Sequence, residues 1–342
     1  MLAGLIIIIL LVLTLPFFVK PIERNLEPFL FVMGLAATIV SGVLNIELIR
    51  EILTNHLMYM ITAAVLIFGL LFARFQNNIH IWINKILEHI PLNLFVFFIV
   101  VLLGLCSSII TAIISALILS EIINALPLQR KEKINTTIIG CFSIGLGAAL
   151  TPIGEPLSTI VISKLGEQFF YLLKLLGVFI IPGVIVFGLL SSLSVKRASK
   201  DSDTGETIDL EDETTKGVVL RAGKIFLFIM ALELLGKGFE PVINTYIIHL
   251  DGRILYWINM ISAVLDNATL AAAEISPAMS GLQIEAILMG LLVSGGMLIP
   301  GNIPNIISAG KLKITSSEWA KLGVPLGLAM LIIYYLIIFV II

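Results

Sequence analysis

The chain predicts an all-α integral membrane fold, with about eight transmembrane crossings plus two re-entrant hairpins, arranged as an inverted repeat with discontinuous helices. Three observations lead there. Of 342 residues, 58% are hydrophobic and 13% charged, and mean hydropathy is +1.09; a soluble domain carries about 25% charged residues. Several apolar runs are long enough to cross roughly 30 Å of hydrocarbon as helices. Polar tips and proline breaks then recur in a duplicated order inside apolar sequence.

In chain order, Leu2–Val19 has neither a basic stretch before it nor a small-residue cleavage site after it, so it is expected to be a retained span. Pro28–Ile49 and Leu57–Phe75 read as further spans. In Ile79–Ile90, Trp82, Ile83, Ile86 and Leu87 mix with His80, Lys85, Glu88 and His89, an amphipathic segment at the interface. Residues 91–126 are expected to form a hairpin interrupted by Ser107, Ser108 and Thr111. Residues 134–165 form a helix broken at Thr151-Pro152-Ile153-Gly154-Glu155-Pro156. Tyr171–Val195 closes a first half, 1–195. An acidic stretch, 196–217, reads as a solvated cytoplasmic linker. The second half, 218–342, repeats the order: the span Val218–Leu235, a hairpin over 253–280, a helix over 283–312 broken at Pro300-Gly301-Asn302-Ile303-Pro304-Asn305, and the span Trp319–Ile342. No β-barrel alternation is present, so helices must satisfy the backbone.

The breaks share one spacing, Pro152-x-x-x-Pro156 and Pro300-x-x-x-Pro304. Gly145 and Gly147 precede the first; Gly295 and Gly296 precede the second. Lys164 and Lys311 follow them. Upstream, Ser107-x-x-x-Thr111 aligns with Ser262-x-x-x-Asp266. With both hairpins returning to the side they enter, sixteen of the 21 basic residues fall on one face and five on the other. The positive-inside rule makes the richer face cytoplasmic and puts both termini outside a cell (inner) membrane. The two halves are then inverted, as in many secondary transporters.

Two prolines four apart unwind a helix, and unwound backbone at membrane depth is tolerated only where it is buried or lines a wet cavity. Its carbonyls are oxygen ligands for a hard cation. Asp266 stands out: a central carboxylate costs about 2.5–3.5 kcal/mol on insertion scales. A proton and a cation competing for it is antiport in minimal form. Glu155, inside the first break, reads either as a second such group or as a cap on the following half-helix. Asn267, Thr269, Asn302, Asn305, Thr151, Ser158, Ser107, Thr111 and Ser262 supply further oxygens, and sodium is expected at Asp266, Asn267, Asn302 and Glu155. Glu274, near Ser276-Pro277, and Glu121, near Pro127, are expected at the interfaces.

Other chemistries find little support. Net charge is −2, with no basic field for nucleic acid. Cys106 and Cys141 read as packing residues. His56, His80, His89 and His249 fall near span ends rather than in a metal cluster. No nucleotide-binding glycine motif and no nucleophile–base pair is found, so neither an ATP-driven pump nor an enzyme is expected, and no cofactor. The partners implied are the lipid bilayer and a small inorganic ion.

Ser262-Ala263-Val264-Leu265-Asp266-Asn267 resembles the serine-to-Asp-Asn motif of NhaD-type sodium/proton antiporters. Gly295-Gly296 through Pro300-Gly301-Asn302-Ile303-Pro304-Asn305-Ile306 resembles the glycine-rich break and Pro-Asn element of the wider ion-transporter superfamily. That superfamily also holds arsenite permeases and dicarboxylate transporters; prokaryotic proteins described as predicted cation transporters are the nearest in pattern. The resemblance implies a scaffold and a transport domain, elevator-like motion and a homodimer. The chain departs from it at Thr111-Ala112, where the second half has Asp266-Asn267. The Ser-Asn-Thr signature of the dicarboxylate carriers is missing from both tips, and no arginine sits there to clamp an organic anion. A sodium/proton antiporter is the first expectation. A sodium-coupled importer of a small anion such as a dicarboxylate, or an arsenite-permease-like exporter, is the alternative.

Overall fold

The computed structural model describes residues 1–56, 89–195, 215–242, 250–265, 267–275 and 279–341, with single positions between 58 and 87 and at 245 and 277. Most of the expected span Leu57–Phe75, most of the amphipathic segment, nearly all of the acidic linker and Asp266 lie outside the described residues. Every regular element among those described is helical.

Helices α1 (Leu2–Phe18) and α2 (Lys20–Arg24) lead into α3 (Leu26–Ser41). The expected span Pro28–Ile49 is corrected here. Gly42, left-handed at φ 76°, terminates α3. Asn45 then starts a separate helix, α4 (Ile46–Leu53), by accepting from the Leu48 amide at 2.7 Å. The first hairpin region becomes α5 (Leu92–Ile110) and α6 (Ala112–Ala125), which pack on each other and are joined only by Thr111. The first broken region becomes α7 (Arg130–Ala148) and α8 (Pro156–Leu165). α9 (Tyr171–Ser194) and α10 (Thr215–Val242) follow. The second hairpin region becomes α11 (Gly252–Ile258), a 3-10 turn (Asn259–Ala263) and α12 (Asn267–Glu274). The second broken region becomes α13 (Gly281–Gly295), a 3-10 turn (Ile299–Gly301) and α14 (Ile303–Leu312). α15 (Ser316–Leu336) runs on into a π turn, Ile337–Ile341.

Among the described residues, three helices, α5, α9 and α15 with its π turn, are long and apolar enough to cross a membrane by length and composition. Large apolar side chains stand outside the fold, with Phe18 83%, Leu193 81% and Val340 69% exposed. Water would penalise such a surface, whereas hydrocarbon would not.

The packing has two parts. Among the described residues, α3 lies along α10 in the most extensive helix contact. Glycine permits it: a Cβ at Gly34 would sit 2.8 Å from Leu234 Cβ, and one at Gly238 2.6 Å from Ala37 Cβ. The second part is a bundle of α5, α7 and α9 joined to the shorter helices. Its arrangement is reciprocal. The return arm of the first hairpin region, α6, packs on α14, the far arm of the second broken region. The return arm of the second, α12, packs on α8, the far arm of the first.

Candidate functional site

Each break is held open by its own side chains. In the first, Thr151 Oγ1 donates to the Ser108 carbonyl. Ser158 Oγ donates to the Ala149 carbonyl at 3.1 Å, and Thr159 Oγ1 to the Pro152 carbonyl at 2.5 Å. In the second, Asn305 Nδ2 bridges the Gly295 and Leu298 carbonyls at 2.8 and 2.9 Å. Both breaks fold back tightly on themselves. A Cβ at Gly154 would strike the carbonyl of Ala148, six residues earlier, and a Cβ at Gly301 would strike that of Gly295, also six earlier. Several carbonyls in and beside the breaks are thereby partnered while the backbone stays unwound.

The hairpin tips dock on the helices that enter the breaks. Ser107 Oγ lies between the Gly104 and Ile144 carbonyls at 2.6 and 3.1 Å, and Ser262 Oγ donates to the Leu291 carbonyl at 3.3 Å. Matching glycines make room for both. A Cβ at Gly147 would approach Ser107 Oγ at 3.1 Å, and one at Gly295 would approach Ser262 Oγ at 3.6 Å. Thr111 takes φ 77°, ψ 151°, a rare backbone for a β-branched residue. Its Oγ1 accepts from the Ile114 amide at 3.4 Å, and the next amide, Ala112, donates to the Gly154 carbonyl at 2.8 Å, tying tip to break.

The two halves meet at the second break. A Cβ at Gly145 would lie 2.6 Å from Asn302 Nδ2. Phe142 covers Gly296, Cys141 Sγ approaches the Pro304 carbonyl at 3.6 Å, and Trp319 Nε1 donates to the Gly296 carbonyl at 3.1 Å. Ser107, Thr151, Glu155, Ser158, Ser262, Asn267, Asn302 and Asn305 are all buried. Asp266 and the side chain of Thr269 lie outside the described residues; Leu265 and Asn267, flanking Asp266, are buried. Hydroxyls that donate to carbonyls keep their oxygen lone pairs, so they remain ligands for a hard cation. Asn305 Oδ1 is buried with no donor among the described residues. The lining is therefore rich in acceptors, and the tips and breaks carry no lysine or arginine.

Two carboxylates expected at the interfaces are enclosed by protein. Glu121 is 9% exposed and pairs with Lys311, 8% exposed, at 2.5 Å. Glu274, at 1% exposed, is walled in by protein. The lysine repeat has a structural meaning the sequence did not reveal. Each lysine reaches the return arm of the opposite half, Lys311 to Glu121 and Lys164 Nζ to the Ile275 carbonyl at 2.9 Å.

Residues not singled out from sequence include Phe142, Ser308 and Asn259. Ser308 Oγ meets Ser120 Oγ at 3.0 Å and Cys141 Sγ at 3.3 Å. Asn259, fully buried, lies three residues before Ser262, as Gly104 lies three before Ser107; that offset was the available signal. A cavity of about 450 Å³ separates α10 from α14 and the start of α15, with Phe228 and Lys224 on one wall and Ile299, Ile306 and Lys313 on the other.

A family model covers residues 2–341, and the chain belongs to that family, described as a protein of unknown function (DUF1646). No curated protein matched the chain.

Proposed function

We propose that this protein is a multi-pass secondary transporter of the cell membrane, exchanging a monovalent cation, sodium, for protons. Asp266 carries either ion. Asn267, Thr269, Asn302, Asn305, Glu155 and Ser158 supply or orient oxygens around it. The observation that carries this reading is the meeting of the two halves where Gly145, in the helix that enters the first break, lies against the Asn302 side chain of the second break, among buried oxygens and with no basic side chain on the tips or breaks. Unwound backbone at membrane depth is characteristic of transporter ion sites.

The finer architecture belongs to the same reading. It has eight crossings, two re-entrant hairpins and oppositely oriented halves, with both termini outside. The reciprocal packing of α6 on α14 and α8 on α12 is what two inverted copies would produce. The α3–α10 pair serves as scaffold, the cavity beside it as the cytoplasmic vestibule, and the protein works as a homodimer.

The test is purified protein in vesicles with an internal pH dye. Adding sodium across an imposed proton gradient should change internal pH, and Asp266→Asn should reduce the response at least about tenfold, since the exchangeable carboxyl is lost. A silent dye together with sodium-dependent uptake of a labelled dicarboxylate would replace antiport by anion import. Normal exchange by the Asn variant would remove Asp266 from the mechanism.

A further inference from the structure

The last residue of α12 is a carboxylate for which the antiport scheme above has no use. Glu274 is 1% exposed, and neither of its carboxylate oxygens has a hydrogen-bond donor of normal geometry among the described residues. The polar group beside it is the side-chain amide of Asn259, itself fully buried. Asn259 Nδ2 points to the Ile287 carbonyl at 3.4 Å, and its Oδ1 lacks a donor. Three buried acceptor oxygens are thus gathered in one place. Burying acceptors unsatisfied is costly, and burying an unpaired charge costs far more.

Among the described residues, no basic side chain pairs with it. On α8, Lys164 donates to the neighbouring Ile275 carbonyl at 2.9 Å. On α13, Glu285 lies near Tyr171 and Glu167 at the start of α9. On α10, Lys224 pairs with Glu27, Glu233 accepts from Asn55, and Lys237 pairs with Glu51 and Glu240, while Lys216 is exposed. On α11, Arg253 stands over the Phe339 ring. A proton on Glu274 removes the charge and makes the carboxyl a donor as well as an acceptor beside the Asn259 amide.

We infer that Glu274 is a second proton-binding carboxyl of the transport core, holding its proton against Asn259 at a position separate from Asp266. Its coupling role rests on the antiport reading; its protonation does not. The position suits a relay, because α12 leads directly from the Asp266–Asn267 tip to Glu274. Buried carboxyls that exchange protons are the usual components of such paths.

The test uses Glu274→Gln, which keeps the shape and neutrality of the protonated form. Infrared difference spectra between acidic and alkaline buffer should show a protonated-carboxyl band in the wild type that persists at neutral pH and is absent from E274Q. In vesicles loaded with a pH dye and supplied with radiolabelled sodium, E274Q should still move sodium while carrying about twofold fewer protons per sodium, one of two exchangeable carboxyls being gone. Its exchange should also depend less on pH. Identical spectra for the two proteins overturn the assignment. A missing band in E274Q with an unchanged proton-to-sodium ratio overturns the coupling role and leaves a neutral packing carboxyl. A wild type that shows the band yet moves neither ion sinks the antiport reading and the coupling role together. Should E274Q fail to accumulate, Asn259→Ala keeps the carboxyl and must shift the band; an unshifted band overturns the pairing.

Discussion

Glu121 and Lys311 show how a single pair fixes the joint between halves. They meet at 2.5 Å in a place almost sealed from outside. Each single change breaks a buried ion pair, so Glu121→Gln or Lys311→Met should each cost about 3–5 kcal/mol, read by thermal unfolding in detergent. Replacing both with apolar residues of similar volume, E121L with K311M, should recover most of that loss. A double variant as unstable as the singles would mean that these side chains matter for something other than each other. Neither partner was legible as such in the sequence. The lysine was visible only as a repeat mark alongside Lys164, and the glutamate's nearness to Pro127 pointed toward an interface. Asp266 was conspicuous because its surroundings are uniformly apolar. Glu274 was not, because Ser276 and Pro277 follow it so closely.

The elements explain what the prolines alone could not. Pro-x-x-x-Pro spacing made both breaks legible, and the structure puts helix ends at Ala148, Pro156, Gly295 and Ile303. It did not indicate that each break turns back on a carbonyl six residues earlier. At Gly301 a Cβ would sit 2.5 Å from the Gly295 carbonyl oxygen and 2.6 Å from that of Ser262. Gly301→Ala should therefore push the second tip off its break, lowering exchange in vesicles more than about tenfold, since the backbone cannot yield cheaply at native packing density. Gly223→Ala, where nothing lies within 4 Å of the added carbon, should transport normally and gain up to about 1 kcal/mol of helix propensity. Equal behaviour of the two variants would refute close packing at the break. The split of α3 from α4 was also written in the chain, as Gly42 and Asn45. Continuous hydropathy outweighed those two signals in reading Pro28–Ile49 as one span.

At the scale of the molecule, the vestibule sets an expectation about sidedness. Gly310 is exposed, faces open space and lines the cavity. With Cys106 and Cys141 replaced by serine and alanine, Gly310→Cys should react with a membrane-impermeant thiol reagent applied to the cytoplasmic face and not from the opposite face. Labelling from the outside alone would invert the topology assigned by the basic residues. Membrane character was legible because composition is a property of the whole chain. The partnership of α6 with α14 and of α8 with α12 was not, because hydrophobic periodicity reports only on near neighbours.

That exchange of partners bears on how the protein is made. Ser120 waits for Ser308, 188 residues later, and Lys164 for the Ile275 carbonyl, 111 residues later. Contacts of such long sequence separation form late and slowly. While the ribosome is still producing the second half, α6 and α8 of the first are without their final neighbours. Release from the insertion machinery is therefore expected to be delayed until α14 emerges, and a nascent chain halted before α12 should be cleared by membrane proteases rather than stored.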